Sequence, residues 1–204
     1  MSQSSSKNPT EAIWKPTSPK SKNPATPVAK VGMRWYSKMS KRERLTQLYY
    51  QAVTAVQAES IIHQSIQCTE MELILCGKSI AFDDFQNLYC FTVGKAGLGM
   101  AQACEAILGD RIHNGVAISH QEGELHRMTH HTSTHPLLSE KSIESGEKLI
   151  AMMEQMNDDD FFIFCLSGGA SAMIEKPIEG LSLEDFQKVS QALLGSGIDI
   201  KALN

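Results

Sequence analysis

Leu88-Tyr89-Cys90-Phe91-Thr92-Val93-Gly94-Lys95-Ala96-Gly97 is a continuous apolar run that passes directly into a glycine-rich turn. The same pattern returns where Phe161–Leu166 is followed by Ser167-Gly168-Gly169-Ala170-Ser171. In α/β proteins, a buried strand that leads through glycines into a helix directs backbone N–H groups toward an anion. Two such turns in one chain predict a phosphate or carboxylate site at one end of a parallel sheet.

Signals for helices and strands alternate on both sides of these turns. Apolar spacing predicts helices over 41–59, 97–108, 139–156 and 183–194, and strands over 87–93, 115–119 and 161–166. Residues 71–80 alternate like a small hairpin around Cys76-Gly77-Lys78, whereas 121–135 is polar and is expected to be irregular. Because apolar strands separated by helices favour a parallel sheet covered on both faces, the predicted fold is α/β with a Rossmann-like sheet. Only about three strong strands are present, so we expect this fold to be incomplete.

The composition restricts the class of protein. The chain has 204 residues, and 42% of them are apolar, which suffices for one globular domain with a core. Its net charge of −4 argues against a nucleic-acid-binding protein that relies on a positive field. No apolar stretch approaches the ~18–20 residues needed to cross a bilayer, so we expect a soluble, cytoplasmic protein without a membrane partner.

The five cysteines include no C-x-x-C pair, and their number is odd. This usage favours a reducing compartment over a disulfide-bonded scaffold. Cys90 and Cys165 lie inside apolar runs, where a thiol is typically a small buried hydrophobe. We therefore expect buried thiols rather than a redox or metal site.

Residues 1–40 differ from the rest of the chain. They contain eight serines, five prolines, seven Lys or Arg residues and a single acid, Glu11. Such a segment buries too little apolar surface to offset its ordering entropy, so we interpret it as a disordered basic arm that precedes the domain over 41–204. A mitochondrial transit peptide is the alternative, although the prolines oppose an amphipathic helix.

Lys95 is the candidate charged residue of the first turn. A lysine at a helix N-terminus adds to a local field that is already positive, and the natural partner is an anion. The turn is not a P-loop, because Gly94-Lys95 is followed by Ala96, and its G-x-x-G-x-G spacing is not the dinucleotide fingerprint. The alternative is that these glycines only permit close helix–strand packing.

The second turn, 167–171, offers two hydroxyl groups and several unhindered N–H groups, which suit a carboxylate or phosphoryl group. A nucleophilic serine is disfavoured, because the G-x-S-x-G pattern is not met and no acid–histidine pair is evident.

Five of the seven histidines lie within 120–135, at positions 120, 126, 130, 131 and 135. His126 and His130 have the i, i+4 spacing of zinc ligands on a helix, but a solvated loop is favoured here. His135 precedes Pro136, which restricts it to an extended conformation that can direct its ring into a cleft. The three acids 158–160 are interpreted as a solvated turn, with a magnesium site as the alternative.

Taken together, these motifs resemble the N-terminal half of the glycerate 2-kinase family, the type with a MOFRL-type C-terminal domain. The resemblance covers about 41–204 and excludes the arm. It lies in the turn Val93-Gly94-Lys95-Ala96, the strand 115–118, His135-Pro136 with the helix after it, Asp159-Asp160 leading into 166–172, and the segment 181–204. Each motif alone is weak, but five in the same order are specific.

The resemblance implies transfer of the γ-phosphoryl group of ATP to the 2-hydroxyl of D-glycerate, with Mg²⁺. Lys95 would neutralise charge on the substrate or on the moving phosphoryl group, and His135 would line the cleft. The phosphate and oxyanion cradle would be formed by Gly94, Ser167, Gly168, Gly169, Ala170 and Ser171.

The sequence also departs from the family pattern. Ala170 replaces a third glycine, where its methyl group is expected to restrict φ, and Thr134 replaces the glycine before His-Pro. The family continues past Asn204 with further strands and a second domain, which would complete the site. The alternatives are a non-catalytic anion-binding module, truncated or paired with a separate half, and a hydroxypyruvate reductase-type enzyme. Self-association into a homo-oligomer is a further alternative.

Overall fold

The structure is a computed structural model that describes residues 39–197. The predicted basic arm, apart from its last two residues, and the segment 198–204 lie outside the described residues. The described residues divide into two units, one that ends at Leu48 and a second that begins at Tyr49. Every site residue considered below belongs to the second unit.

Two helices replace the single predicted helix over 41–59. Helix α1 spans Lys41–Ala55 and has no buried residue, and helix α2 spans Ala58–Ser65 and buries Ile62. The prediction of one helix is wrong because the chain turns at residues 56–57, where i→i+3 hydrogen bonds replace the α-helical pattern.

A small antiparallel sheet follows, with strand order β1-β2-β3. Its strands are β1 (Ile66–Cys68), β2 (Glu72–Leu75) and β3 (Lys78–Ala81). The predicted hairpin is confirmed: Cys76 and Gly77 connect β2 and β3 with φ of 49° and 80°. Two successive positive φ angles are typical of the tight turns that match the twist of a hairpin.

The second sheet has four parallel strands in the order β6-β5-β4-β7. Its strands are β4 (Leu88–Val93), β5 (Ile112–Ser119), β6 (Thr129–Thr132) and β7 (Phe161–Leu166). Strand β6 corrects the expectation that 121–135 is wholly irregular. Its Thr-His-His-Thr sequence lacks the apolar pattern of a strand, and it forms by pairing with β5 at the border of the sheet.

Helices accompany this sheet: α3 (Gly97–Leu108), α4 (Glu140–Met153), α5 (Ala170–Met173) and α6 (Leu183–Gly195). Helix α3 ends at Gly109, as predicted, with φ of 49°. Helix α4 begins after Ser139, also as predicted, but ends three residues earlier than expected. Helix α6 begins after Ser182, whose hydroxyl accepts a hydrogen bond from the N–H of Asp185.

Strand β4 is the centre of the core, and all six of its residues are buried. Leu88 and Cys90 join a cluster that includes residues of α2, β2 and α3. Tyr89, Phe91 and Val93 join a second cluster with residues of α4 and α5. Because side chains alternate along a strand, β4 is covered on both faces, and the predicted α/β fold with a parallel sheet is confirmed.

Strand β7 is less covered than β4. Its alternate residues Phe162, Phe164 and Leu166 are 47%, 38% and 65% exposed. No strand among residues 39–197 pairs with the outer side of β7. Within this range, strand β7 is therefore an edge strand with three exposed apolar side chains on one face.

The acidic turn before β7 has the predicted turn character. One carboxylate oxygen of Asp160 accepts the N–H of Asn157 at 2.9 Å, and the other accepts the side-chain amide of Asn87 at 2.7 Å. These hydrogen bonds lower the pKa of Asp160, the one to Asn157 most strongly.

The thiols are mostly in the interior. Cys90 and Cys104 are buried and Cys165 is partly buried, whereas Cys76 is exposed in the hairpin turn, contrary to expectation. A hydrogen bond with Cys104, together with burial, raises the pKa of the Cys165 thiol. The Cys165 thiol is therefore protonated near neutral pH. Among the described residues, no helix has the length and apolar character needed to span a membrane.

We predict that Phe91→Ala lowers the free energy of unfolding by about 3–5 kcal/mol, because this fully buried ring packs at the centre of β4. Phe162→Ala is the matched control on the neighbouring strand, and we expect about 1 kcal/mol or less because its ring is half-exposed. Urea denaturation followed by circular dichroism measures both values. Equal losses in the two variants would contradict the placement of the core.

Candidate active site

The two glycine-rich turns lie side by side at the carboxyl edge of the sheet. Strands β4 and β7 are adjacent and parallel, and Val93 pairs with Leu166 at their ends. The turns that follow, at Gly94 and Ser167, therefore leave the sheet at the same level. This is the arrangement that the sequence pattern predicts.

Hydrogen bonds join the two turns directly. The N–H of Lys95 donates to the carbonyl oxygen of Gly168 at 2.9 Å, and the N–H of Ala96 donates to the hydroxyl oxygen of Ser167 at 3.0 Å. In return, the N–H of Ser167 donates to the carbonyl oxygen of Val93 at 2.9 Å. Each turn thus holds the other in place.

Gly94 allows this close approach. It is buried with φ of 118°, and a Cβ atom at this position would collide with the side chain and backbone of Ser167. Its own N–H donates to the carbonyl oxygen of Ile118 in β5 at 3.0 Å. These contacts explain why a glycine is found at position 94 and a serine at position 167.

The first turn does not present free backbone donors, contrary to expectation. The N–H groups of Gly94, Lys95, Ala96 and Gly97 all donate to protein acceptors, that of Gly97 to the carbonyl oxygen of Gly94. This turn therefore contributes the exposed side chain of Lys95 rather than a backbone cradle.

The second turn has the available donors. The N–H groups of Gly168, Gly169, Ala170 and Ser171 have no acceptor among residues 39–197. Gly168 and Ser171 are exposed at this edge. A run of backbone N–H groups without acceptors is chemically suited to carboxylate or phosphoryl oxygens. We call residues 168–171 the anion loop.

Gly169 of the anion loop lies next to two side chains that can carry a positive charge, those of His135 and Lys95. It has φ of 89°, and a Cβ atom there would lie 2.7 Å from Cδ2 and 2.8 Å from Nε2 of His135. The same atom would lie 3.2 Å from Cε of Lys95. Lys95, His135 and the anion loop therefore meet at one place, as the sequence predicts.

The segment that carries His135 is well anchored. The hydroxyl of Ser133 donates to the carbonyl oxygen of Met173 at 2.7 Å, and that of Thr134 donates to the carbonyl oxygen of Leu137 at 2.9 Å. The peptide bond between His135 and Pro136 is cis. Thr134, which departs from the family pattern, is thus part of the local hydrogen bonding.

The electrostatic environment of His135 is positive. Desolvation lowers its pKa, and the charges of Lys95 and His120 lower it further. The imidazole is therefore mainly neutral near neutral pH. An anion between these side chains would oppose that shift.

Ala170 does not distort the anion loop. It is the first residue of α5, without a positive φ, and its methyl group packs against the second core cluster. The expected restriction by this methyl group is not observed, because the left-handed conformation is adopted one residue earlier, by Gly169.

The histidine-rich segment is more ordered than a solvated loop. In β6, Nε2 of His130 lies 3.0 Å from the hydroxyl oxygen of Ser119, and Nδ1 lies 3.1 Å from the carbonyl oxygen of Gly123. His126 is exposed, and its backbone N–H is bound by Glu105. Within residues 39–197, no group of three His, Cys, Asp or Glu side chains is placed to hold a metal ion.

Sequence reasoning missed His120, which is the first residue after β5. Its ring centroid lies 6.4 Å from that of His135. The signal was available, because strand 115–119 was predicted and a residue at the carboxyl end of a strand lies at the edge where such sites form.

These features define a Rossmann-like α/β protein with an anion loop at the carboxyl edge of its parallel sheet. A family model described as "Domain of unknown function (DUF4147)" matches residues 44–204, and the chain belongs to this family. Over that length it corresponds to the N-terminal part of glycerate kinases.

Curated relatives and solved structures agree with this assignment. The chain is 38% identical to the D-glycerate 2-kinase of Thermotoga maritima over 55% of this chain and 28% of that protein. It is 31% identical to the glycerate 2-kinase of Pyrococcus horikoshii over 81% of this chain and 37% of that protein. The crystal structure of the PH0495 protein from Pyrococcus horikoshii OT3 has a TM-score of 0.72 and 30% identity, and the match covers 80% of this chain and 37% of that chain. The chain therefore spans 28–37% of the length of these relatives.

We predict that Gly169→Ala destabilises the protein by about 1–3 kcal/mol, because alanine is strained at a positive φ and its methyl group would collide with His135. Gly168→Ala is the matched control, since its φ is not in the left-handed region and no atom lies within 4 Å of the added Cβ. Thermal denaturation measures both changes. A Gly169→Ala variant as stable as Gly168→Ala would contradict the geometry of the loop.

Proposed function

We propose that this chain is the N-terminal part of a glycerate 2-kinase. The reaction transfers the γ-phosphoryl group of ATP to the 2-hydroxyl of D-glycerate, which yields 2-phosphoglycerate and ADP. The observation that carries the proposal is the meeting of Lys95, His135 and the four available N–H groups of the anion loop. The similarity to glycerate kinases supports it.

The proposed roles follow from charge and geometry. The N–H groups of 168–171 hold carboxylate or phosphoryl oxygens, since they have no protein acceptor among residues 39–197. The Lys95 ammonium group neutralises negative charge beside them. Such fixed donors and charges contribute most of the catalysis in phosphoryl transfer, because the protein mainly positions and neutralises the reacting groups. ATP supplies the phosphoryl group when it is bound.

Magnesium is expected for such a reaction. Within residues 39–197, no group of three His, Cys, Asp or Glu side chains is placed to hold a cation, and Mg²⁺ at phosphoryl-transfer sites is bound mainly by water, substrate phosphates and one or two carboxylates. We therefore assign no residue of this part of the chain to the metal.

The geometry disfavours a reductase that uses a dinucleotide. In that class, the first turn of the sheet presents free N–H groups to the pyrophosphate. Here the N–H groups of 94–97 are all engaged with protein acceptors. A non-catalytic anion-binding module is the second candidate, because the available N–H groups of the anion loop and the exposed Lys95 ammonium group suffice to bind an anion without phosphoryl transfer.

We predict that Lys95→Gln weakens D-glycerate binding about ten- to a hundredfold, because a charge-assisted contact is worth roughly 1.5–3 kcal/mol. Isothermal titration calorimetry of the wild type and the variant measures the change. Lys141→Gln, an exposed lysine on α4, is the control and should bind like the wild type. An unchanged affinity in Lys95→Gln would contradict the assigned role.

Activity separates the two candidate functions. The chain is joined to the remaining part of the Pyrococcus horikoshii relative, and formation of 2-phosphoglycerate from D-glycerate and ATP is measured. Turnover that falls at least tenfold in Lys95→Gln is the expected result. Tight glycerate binding without turnover in the joined protein would favour the non-catalytic module.

A further inference from the structure

His120 lies beside the site on a third loop, after β5. Its ring is exposed, and its centroid is 6.4 Å from that of His135, with the two ring planes inclined at 47°. Lys95 and His135 come from the loops after β4 and β6. Three neighbouring strands thus each deliver one cationic or titratable side chain to the same edge.

The backbone next to His120 is fixed although its ring is exposed. The hydroxyl of the buried Ser119 accepts the N–H of Gln121 at 3.2 Å and contacts Nε2 of His130 at 3.0 Å. The carbonyl oxygen of Ser119 accepts the N–H of Ser133 at 2.8 Å. This hydrogen bond connects the end of β5 to the segment that carries His135.

The three side chains lack a counter-charge in the described structure. Lys95 and His120 are the charged groups that act on His135 among residues 39–197. Glu122 and Glu124 are exposed on the loop of His120, and neither forms an ion pair with it among those residues. One ammonium group and two titratable imidazoles without an ion-paired carboxylate, next to free N–H donors, favour the binding of an anion.

We infer that His120 is a further anion-binding residue of this site, which contacts the acidic group of the substrate when its imidazole is protonated. This inference rests on the proposed function for the identity of the substrate, but the binding of a simple anion tests it separately.

The pH dependence follows from the charges. An imidazolium group donates charge-assisted hydrogen bonds to an anion, and a neutral imidazole loses that charge. Imidazoles ordinarily titrate near pH ~6.5, whereas a carboxylate such as that of glycerate keeps its charge above pH ~5. Affinity for D-glycerate should therefore increase as the pH falls from 8 to 6.

The test uses sulfate and D-glycerate as probes, because the charge of each is constant over this pH range. Calorimetric titrations at pH 6 and pH 8 compare the wild type with His120→Asn, His120→Lys and His126→Asn. We expect His120→Asn to weaken binding of both anions about three- to tenfold at pH 6 and much less at pH 8. His120→Lys should keep strong binding at pH 8, and the control His126→Asn should match the wild type.

The outcomes separate this inference from the proposed function. Equal affinity of the wild type and His120→Asn at pH 6, or an equal loss in His126→Asn, would overturn the role of His120. Absence of sulfate binding to the wild type would overturn it as well. Sulfate binding that depends on His120, without glycerate binding at either pH, would support the anion site and contradict the proposed substrate. Circular dichroism of His120→Asn checks that this variant is folded. Anion binding by His120→Lys at pH 8 tests independently whether a positive charge at this position is sufficient.

Discussion

The site depends on the reciprocal hydrogen bonding between the turns after β4 and β7. Lys95 and Ala96 donate to the second turn, and Ser167 donates back to the end of β4. These bonds form only because the strands are adjacent, parallel and in register up to Val93 and Leu166. Gly94 makes the approach possible, since any side chain there would occupy the position of Ser167.

Because of this constraint, two turns that are similar in sequence differ in whether their backbone N–H groups are available. The backbone N–H groups of the first turn donate to neighbouring protein acceptors, and the turn contributes the ammonium group of Lys95. The second turn keeps its donors available and takes its shape from the left-handed Gly169. Under the proposed function, the first turn positions the second turn, and the second turn contacts the ligand.

Much of the fold and part of the site could be predicted from the sequence. Strand β4 is apolar at every position because it is buried on both faces, and helix α3 ends at a glycine, so both were recognisable. Strand β6 was not, because its polar residues form a strand only through pairing with β5. The break between α1 and α2 carries no proline or glycine to mark it. The hydrogen bonds made by the N–H groups of the first turn, and the position of His120, depend on which strands become neighbours. The periodicity of a single sequence does not contain that information.

The exposed apolar side chains of β7 have a consequence for the electrostatics near Lys95. Neighbouring strands lie ~4.8 Å apart. A parallel strand that paired with β7 beside Phe162, Phe164 and Leu166 would therefore place the turn that follows it next to the anion loop. Shielding these apolar side chains from water and enclosing an anion would then occur together. A polypeptide that covered these side chains would also exclude water near Lys95, and the attraction between its ammonium group and an anion would become stronger.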